Sequence, residues 1–597
     1  MRALGLALGL AVTVPSRLPA DPGASARLQD VFVEDWEFRL AEDPLFATFA
    51  GDHRYDDRLP SMTHKDLDRR AAHDRATLAK LKAFGLDELS PSERVSADML
   101  ARELADRLAA DDFGAYRIPL TSDSGFHTDF ADLPNTMTFA TAADYDHYAA
   151  RLNAFPRYVA EEIALMREGL ASGFTLPRVV LEGYDVTMTT HVVSVPEKSI
   201  FFAPYKSFPP SVPAADRARL ADEGRKAILQ GAVAGYRTLA EFMRTEYVPG
   251  ARTTIAASAL PRGRDYYAYL VRSFTTLDVT PAQVHEIGRQ EVLRIRAEMD
   301  AAMAKTGFEG NFAAFLNSLR SDPRFYVKTP KELLENASYI AKRMDGKLPS
   351  LFGKLPRLPY GIEPVPAHLA PKYTGARYIP APVGGTQAGE YWVNTSSLDQ
   401  RPLYTLEALT LHEAVPGHHL QIALQQEMTG LPEFRRFSDV GAFVEGWALY
   451  AERLGLEAGF YQDPYSNFGR LTYEMWRACR LVIDTGIHAE GWTRAEAIEY
   501  LQTHTALSEH EVQTEIDRYI SWPGQALCYK MGELKIRELR KQAQDELGTR
   551  FDLRAFHDAV LAQGAIPLSV LEAHMRGWVD RQAGGGIGGL GPRTNTQ

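Results

Sequence analysis

Residues 411–421 read Leu411-His412-Glu413-Ala414-Val415-Pro416-Gly417-His418-His419-Leu420-Gln421, set between two stretches with helical spacing of apolar residues. Three histidines and a glutamate fall within eight positions, in a chain with only 16 histidines among 597 residues. Neutral imidazole is the common ligand of zinc, and a carboxylate beside the first ligand can act as general base toward a water. Two zinc-binding histidines on one helix face normally stand four positions apart. Here that position is Pro416, and the next histidines come six and seven positions after His412. On a regular helix His418 would point about 120° away from His412 and His419 only about 20° away. His419 would however lie about 10 Å further along the axis, too far for two short bonds to one ion. Pro416-Gly417 also makes a regular helix unfavourable. A local bulge that absorbs two residues would bring His418 into the place of the second ligand. His418 is therefore the expected partner of His412, with His419 as the alternative.

A third ligand must come from elsewhere. Phe443 to Glu452 has helical spacing, and Glu445 stands in its apolar beginning, 27 positions after His418. A carboxylate among apolar neighbours is costly unless something binds it, and metal ligation would supply the reason. Glu452, seven positions on and on a similar face, is either a group that orients a ligand or the ligand itself.

Working outward, helical patterns dominate. They run over 30–50, 61–84, 92–108, 142–172, 216–247 and 280–306, the last opened by Thr280-Pro281. After the motif they resume at 441–458, 467–487, 494–504 and 525–546. Between them Leu355 to Asn394 is rich in Pro, Gly and Tyr, and Tyr391-Trp392-Val393-Asn394 reads as a strand. The expected fold is mainly α, with a small β-hairpin or sheet beside the motif helix. At this length we expect a signal over 1–26, an N-terminal helical lobe over 27–265, a catalytic lobe over 266–582 and a flexible Gly-rich tail over 583–597.

The opening residues support the first of these: Arg2, a short apolar run from Ala3 to Val14, and Ala24-Ser25-Ala26 have the form of an export signal. That points to a periplasmic or extracellular location. No cysteine adjoins this segment, which argues against a lipid-anchored start, and no run of residues is long and apolar enough to span a membrane. Composition is ordinary for a globular chain, 45% hydrophobic and 24% charged. The formal net charge of -11 excludes a basic nucleic-acid-binding domain. Cys479 and Cys528 are too few for a cysteine-rich zinc site; export would permit a disulfide between them, and two separate thiols are equally open. The sequence sets no oligomeric state.

Four ordered motifs carry a resemblance: HEAVPGHHLQ at 412–421, EGWALYAE at 445–452, RACRLVIDTGIH at 477–488 and PGQALCYKMG at 523–532. With these the chain resembles the bacterial family called domain of unknown function 885, whose name carries no function. More distantly, a His-Glu helix followed by a helix bearing Glu resembles the helical zinc peptidases similar to angiotensin-converting enzyme and thimet oligopeptidase. That likeness implies a two-lobed, zincin-like fold with a deep cleft, one Zn2+ per chain and short peptide substrates. The extra residues inside the histidine motif depart from it, although dipeptidyl peptidase III-like enzymes also carry an inserted spacing.

The resulting expectation is a secreted zinc metallopeptidase of carboxypeptidase, dipeptidyl carboxypeptidase or oligopeptidase type. His412, His418 and Glu445 hold the metal and Glu413 is the base. An oxyanion donor is expected from Tyr529 first, then His488 or Tyr519; in the related helical peptidases a late Tyr or His fills this place. A substrate strand could add at Tyr391 to Asn394, with Asn394 bonding a peptide carbonyl. His419, Arg518 and Lys530 are further substrate-binding candidates, and Arg477 and Arg480 join them as partners for a peptide carboxylate. The alternatives are a zinc hydrolase of other amides or esters, and a non-catalytic periplasmic binding protein.

Overall fold

The computed structural model describes residues 22–85, 88–366, 370, 373–381 and 387–584. Helices make up 71% of it, with one three-stranded sheet among the described residues. The export-signal residues up to 21 and the Gly-rich tail from 585 lie outside the described residues. The helix Pro22–Glu42 runs through Ala24-Ser25-Ala26 and buries Ala24 and Leu28.

Most helices lie where the apolar spacing places them, and Ala142–Ser172 and Arg494–His504 have the expected bounds. Differences have local causes. The 30–50 pattern is two helices, because Asp43 caps a new start by accepting from the Phe46 N–H (3.1 Å) and Pro44 occupies its first turn. The 216–247 pattern is interrupted by two wider π-type turns, Ile228–Ala232 and Met243–Tyr247. Thr280 opens Pro281–Lys305 with a reciprocal cap to Gln283.

The chain builds two main hydrophobic cores. One surrounds Tyr148, Leu152, Phe155 and Val159 of Ala142–Ser172, and Met475, Cys479 and Val482 of Pro464–Thr485 reach into it. The other surrounds Trp447 and Tyr450, with Leu28 and Phe32 from the start of the chain and Ile536 and Leu571 from its end. Neither core is confined to one side of residue 265. The helix Pro464–Thr485 packs on Pro281–Lys305 and on Leu403–Glu413, so it joins the first core to the motif. The helices Gly441–Leu454 and Cys528–Leu547 approach at Gly446 and Gly532. A Cβ on Gly446 would lie 2.5 Å from the Gly532 Cα, and one on Gly532 would lie 1.9 Å from the Ala442 carbonyl oxygen. This backbone-to-backbone contact holds the two helices together one residue from Glu445.

Strands β1 (Tyr360–Pro364), β2 (Ala376–Ile379) and β3 (Gly389–Val393) pair in the order β1-β3-β2, parallel on one side and antiparallel on the other. The sheet lies against Leu403–Glu413, as the sequence suggests. The expected strand, however, is the central one. With both neighbours in place, β3 has no open edge to which a peptide could add. Cys479 and Cys528 are both buried and free rather than bridged.

Candidate metal centre

The motif folds as two helices with a break between them. Leu403–Glu413 stops at Ala414 (φ −92°, ψ −109°), and His418–Gln426 begins after Gly417 (φ −76°, ψ −126°). The Val415-Pro416 bond is cis. The break is thus a turn between two helices, where the sequence suggested a bulge within one; Pro416 has no N–H to continue the first helix. The turn is held from three sides. The Gly417 N–H donates to Leu411 O (3.0 Å), the His419 N–H donates to Ala414 O (3.1 Å), and Trp447 Nε1–H donates to Pro416 O (2.8 Å). Position 417 admits only glycine in this path, because a Cβ would sit 1.9 Å from the His412 carbonyl oxygen.

This turn brings the His412 and His418 rings to 4.7 Å at right angles. Glu445, from the neighbouring helix, directs Oε2 between them, 3.5 Å from His412 Nε2 and 3.6 Å from His418 Nε2. Among the described residues, these three are the group of His, Cys, Asp and Glu side chains whose donor atoms converge closely enough for one metal ion. Zinc with bonds of about 2.0–2.2 Å has tetrahedral ligand-to-ligand edges of about 3.3–3.6 Å, which matches the two spacings. Glu445 Oε2 is buried and has no hydrogen-bond partner among the described residues. Two imidazoles and one carboxylate are a set that zinc accepts with a position left open. The residues fit the ion.

Glu452 does not join them. Its Oε1 lies 2.7 Å from His412 Nδ1, so it accepts that N–H and, in the neutral ring that a metal would bind, leaves the lone pair on Nε2. The electrostatics reflect this crowding. Burial pulls His412 down, but the carboxylates of Glu445 and Glu452 on its two sides outweigh it and hold the imidazole up at about 9. Burial pushes Glu445 up, but the two histidines outweigh it and hold the carboxyl well below the usual range. Glu413, 8% exposed, accepts the Tyr378 backbone N–H at Oε2 (2.8 Å), so β2 fixes one carboxylate oxygen.

Several expected residues stand elsewhere. His419 turns to the opposite side: its Nδ1 meets the Tyr378 hydroxyl (2.9 Å), its ring lies 4.6 Å from that of Tyr360, and burial lowers it to about 4. His488 is fully buried with both nitrogens engaged: Nδ1 accepts from Ala257 N–H (3.0 Å) and Nε2–H donates to Tyr519 O (2.9 Å). Asn394 spends its amide on the carbonyls of Ala370, Tyr373 and Thr374 and accepts from Ser396 N–H, which is turn chemistry. Lys530 is enclosed by Glu291, Glu474 and Glu533 at 2.9–3.0 Å, an internal charge network. The Tyr519 hydroxyl receives Trp476 Nε1–H (3.0 Å) and Arg480 Nε–H (2.9 Å). Tyr529 does lie near the triad. Burial first, and then Glu445, raise its phenol above the ordinary value, with Arg480 4.2 Å over its ring. Arg518, 22% exposed at its side chain, stands near Glu515 (3.6 Å) and Gln525. Tyr378 and Trp447 are residues that sequence reasoning missed. Tyr378 sits in a stretch with no helical period, and Trp447 reads as ordinary core.

A cavity of 650 Å³ reaches Glu445 and is lined by Phe274, Phe437, Trp522 and Gln525 among others. Its volume is that of a ligand pocket. No helix among the described residues is long and apolar enough to cross a membrane.

The sequence profile of the family described as bacterial protein of unknown function DUF885 matches residues 44–575, and the chain belongs to that family. Two solved structures are similar. One is a candidate lipoprotein from Colwellia psychrerythraea, 27% identical over 94% of this chain and 100% of that one, with a TM-score of 0.87. The other is a candidate lipoprotein of unknown function from Shewanella oneidensis, 19% identical over 92% and 99% of the two chains, with a TM-score of 0.71; it shows the shared fold alone. No curated protein matches the chain.

Proposed function

We propose that this chain is an exported zinc metallopeptidase of zincin-like type that hydrolyses short peptides, with Glu413 as its general base. The observation that carries the reading is the convergence of His412, His418 and Glu445, whose Oε2 lies 3.5 and 3.6 Å from the two ring nitrogens, next in sequence to Glu413. When bound there, zinc would supply Lewis acidity and lower the pKa of a water.

The protein's own groups do the rest. Tyr378 N–H holds one Glu413 oxygen, so the carboxylate keeps one orientation while it takes a proton from the attacking water and returns it to the departing amine. Glu452 fixes the His412 tautomer, and Trp447 braces the turn that sets His418. Tyr529, kept protonated by burial and by Glu445, is a donor for the oxyanion. Export rests on the signal-like opening residues.

The test is elemental analysis followed by a peptide library, on wild type and Glu413→Gln. The reading expects about one zinc per chain in both proteins and a loss of turnover of about 10²–10⁴-fold in the variant. Undiminished turnover in Glu413→Gln, or no peptide cleaved by zinc-loaded wild type, would sink it.

A further inference from the structure

Four arginines gather around Tyr473, Trp476 and Tyr529. Arg477 lies over the rings of Tyr473 (4.9 Å), Trp476 (4.4 Å) and Tyr529 (6.0 Å), and Arg480 over Trp476 (4.5 Å) and Tyr529 (4.2 Å). Glu511 feels Arg401, Arg477 and Arg480 together, and Arg518 is close enough to Arg480 and Tyr529 to interact with both. The cluster approaches the surroundings of the metal ligands at two points. Arg477 Nη2 lies 3.7 Å from Glu452, the partner of His412, and Tyr529, whose ring lies under Arg480, feels the charge of Glu445.

The acids that touch these arginines are shared among them rather than paired one to one. Glu515 serves Arg480 (2.8 Å) and Arg518 (3.6 Å), and Glu452 is shared with His412. Burial, and then Glu515, push Glu511 up to about 7, so below that pH it is mostly neutral. Hydrogen bonding is incomplete as well. Arg401 Nε, Arg477 Nε and Arg480 Nη1 are buried without a hydrogen-bond partner among the described residues, and so is Thr472 Oγ1. Arg477, Arg480 and Thr472 are 5%, 2% and 1% exposed. Arg401, Thr472, Tyr473 and Glu511 line a cavity of 220 Å³. One buried charged donor without an acceptor is costly, and three of them meet here beside a cavity that could admit one.

We propose that Arg401, Arg477 and Arg480 form a specificity site for a carboxylate of the substrate, adjoining the metal centre. A carboxylate presents two oxygens in one plane and can satisfy several guanidinium N–H groups at once, which a neutral amide cannot. Its source is either the peptide's own C-terminus or an acidic side chain near the scissile bond. This inference rests on the peptidase reading of the metal centre.

Calorimetric binding to zinc-loaded Glu413→Gln protein tests it with four probes. These are acetyl-tetra-alanine as the free acid and as the amide, and the same amide with Glu or with Gln at its third position. We expect one charged probe to bind about tenfold or more tightly than its neutral counterpart. Preference for the free acid assigns the C-terminus; preference for Glu over Gln assigns a side chain. Arg401→Gln and Arg477→Gln should each abolish the preference while leaving zinc content and neutral-probe affinity unchanged. Arg401 has no contact with Glu452, so that variant carries the test if Arg477→Gln disturbs the metal. Equal binding of charged and neutral probes, no binding of any probe, or equal weakening of both kinds by Arg401→Gln would overturn the proposal. Turnover of the probes by wild type separates the two readings. Hydrolysis without charge preference removes this site and leaves the peptidase; charge-selective binding without hydrolysis does the reverse.

Discussion

His418 and His419 are neighbours in sequence, yet the structure gives them opposite duties, and alanine at each position should produce opposite losses. His418 offers Nε2 toward Glu445, and its Nδ1 has no hydrogen-bond partner among the described residues. Removing it takes away one of three candidate ligands and few other contacts. Loss of a group that merely orients a ligand costs about 10–100-fold in metal affinity, so loss of a ligand should exceed about 100-fold. The metal-free protein should be destabilised by about 1 kcal/mol or less, the ordinary scale for one modest change. His419 is 2% exposed, bonded to Tyr378 and packed on Tyr360. Its removal leaves the buried Tyr378 hydroxyl unpaired, about 1–3 kcal/mol, and opens a cavity whose cost adds to that. A total of about 3–5 kcal/mol follows, a large share of the stability of an ordinary domain. The assay is zinc competition against a chromophoric chelator, together with urea denaturation of chelator-treated protein. His418→Ala should lose zinc and keep its midpoint, whereas His419→Ala should keep zinc and lose its midpoint. Zinc retained in His418→Ala, or lost from a folded His419→Ala, would refute the geometry described above.

Three further outcomes are expected. Glu452→Gln should weaken zinc about 10–100-fold in the same chelator assay, because His412 loses the carboxylate that fixes its tautomer; an unchanged affinity would show that Glu452 does not orient the ligand. Gly446→Ala forces a Cβ against the Gly532 backbone and should lower the thermal midpoint by the equivalent of about 1–3 kcal/mol, with a matching loss of zinc as Glu445 is displaced. Glu162 is 2% exposed, and burial raises its carboxyl to about 8 in the folded chain. Between the ordinary unfolded value of about 4.3 and 8 the folded state therefore holds a proton that the unfolded state has released, and wild-type stability falls as pH rises through that window. Glu162→Gln should flatten this slope and gain up to a few kcal/mol over wild type at pH 8; identical slopes in urea melts from pH 5 to 8 would contradict it.

What the sequence makes legible is governed by short-range geometry. Two imidazoles must reach one ion. Pro416 occupies the usual position and the axial rise disfavours His419, so the sequence favours His418 and leaves His419 as the alternative. Glu445 is legible for a related reason: a carboxylate in an apolar helical start needs a binding partner. The same local logic finds many of the long helices, but a cap such as Asp43 or a π-type turn shifts their bounds, and Pro330–Asp345, Glu509–Ser521 and Leu568–Gly584 escape it.

Residues whose duties depend on distant partners are a different matter. Lys530 reads as a substrate-binding candidate in a motif, but two of its three carboxylates come from Glu291 and Glu474, far off in the chain, and a buried cation so enclosed has no donor left for a substrate. His488 is settled by Ala257 and Tyr519 in the same way, at separations of 231 and 31 residues. Strand β3 carries the strongest strand pattern because it is central; the burial on both sides that makes it easy to recognise also removes it as a place for a peptide to add. The arginine cluster follows from this contrast. Arg477 and Arg480 stand in the same kind of motif as Lys530 and are as deeply buried, yet their carboxylates are shared and some of their N–H groups are unmet. A buried cation with every donor met has nothing left to offer a ligand, whereas one with unmet N–H groups can still take up an acceptor. By that criterion Lys530 belongs to the scaffold, and Arg477 and Arg480 keep N–H groups open to the proposed carboxylate.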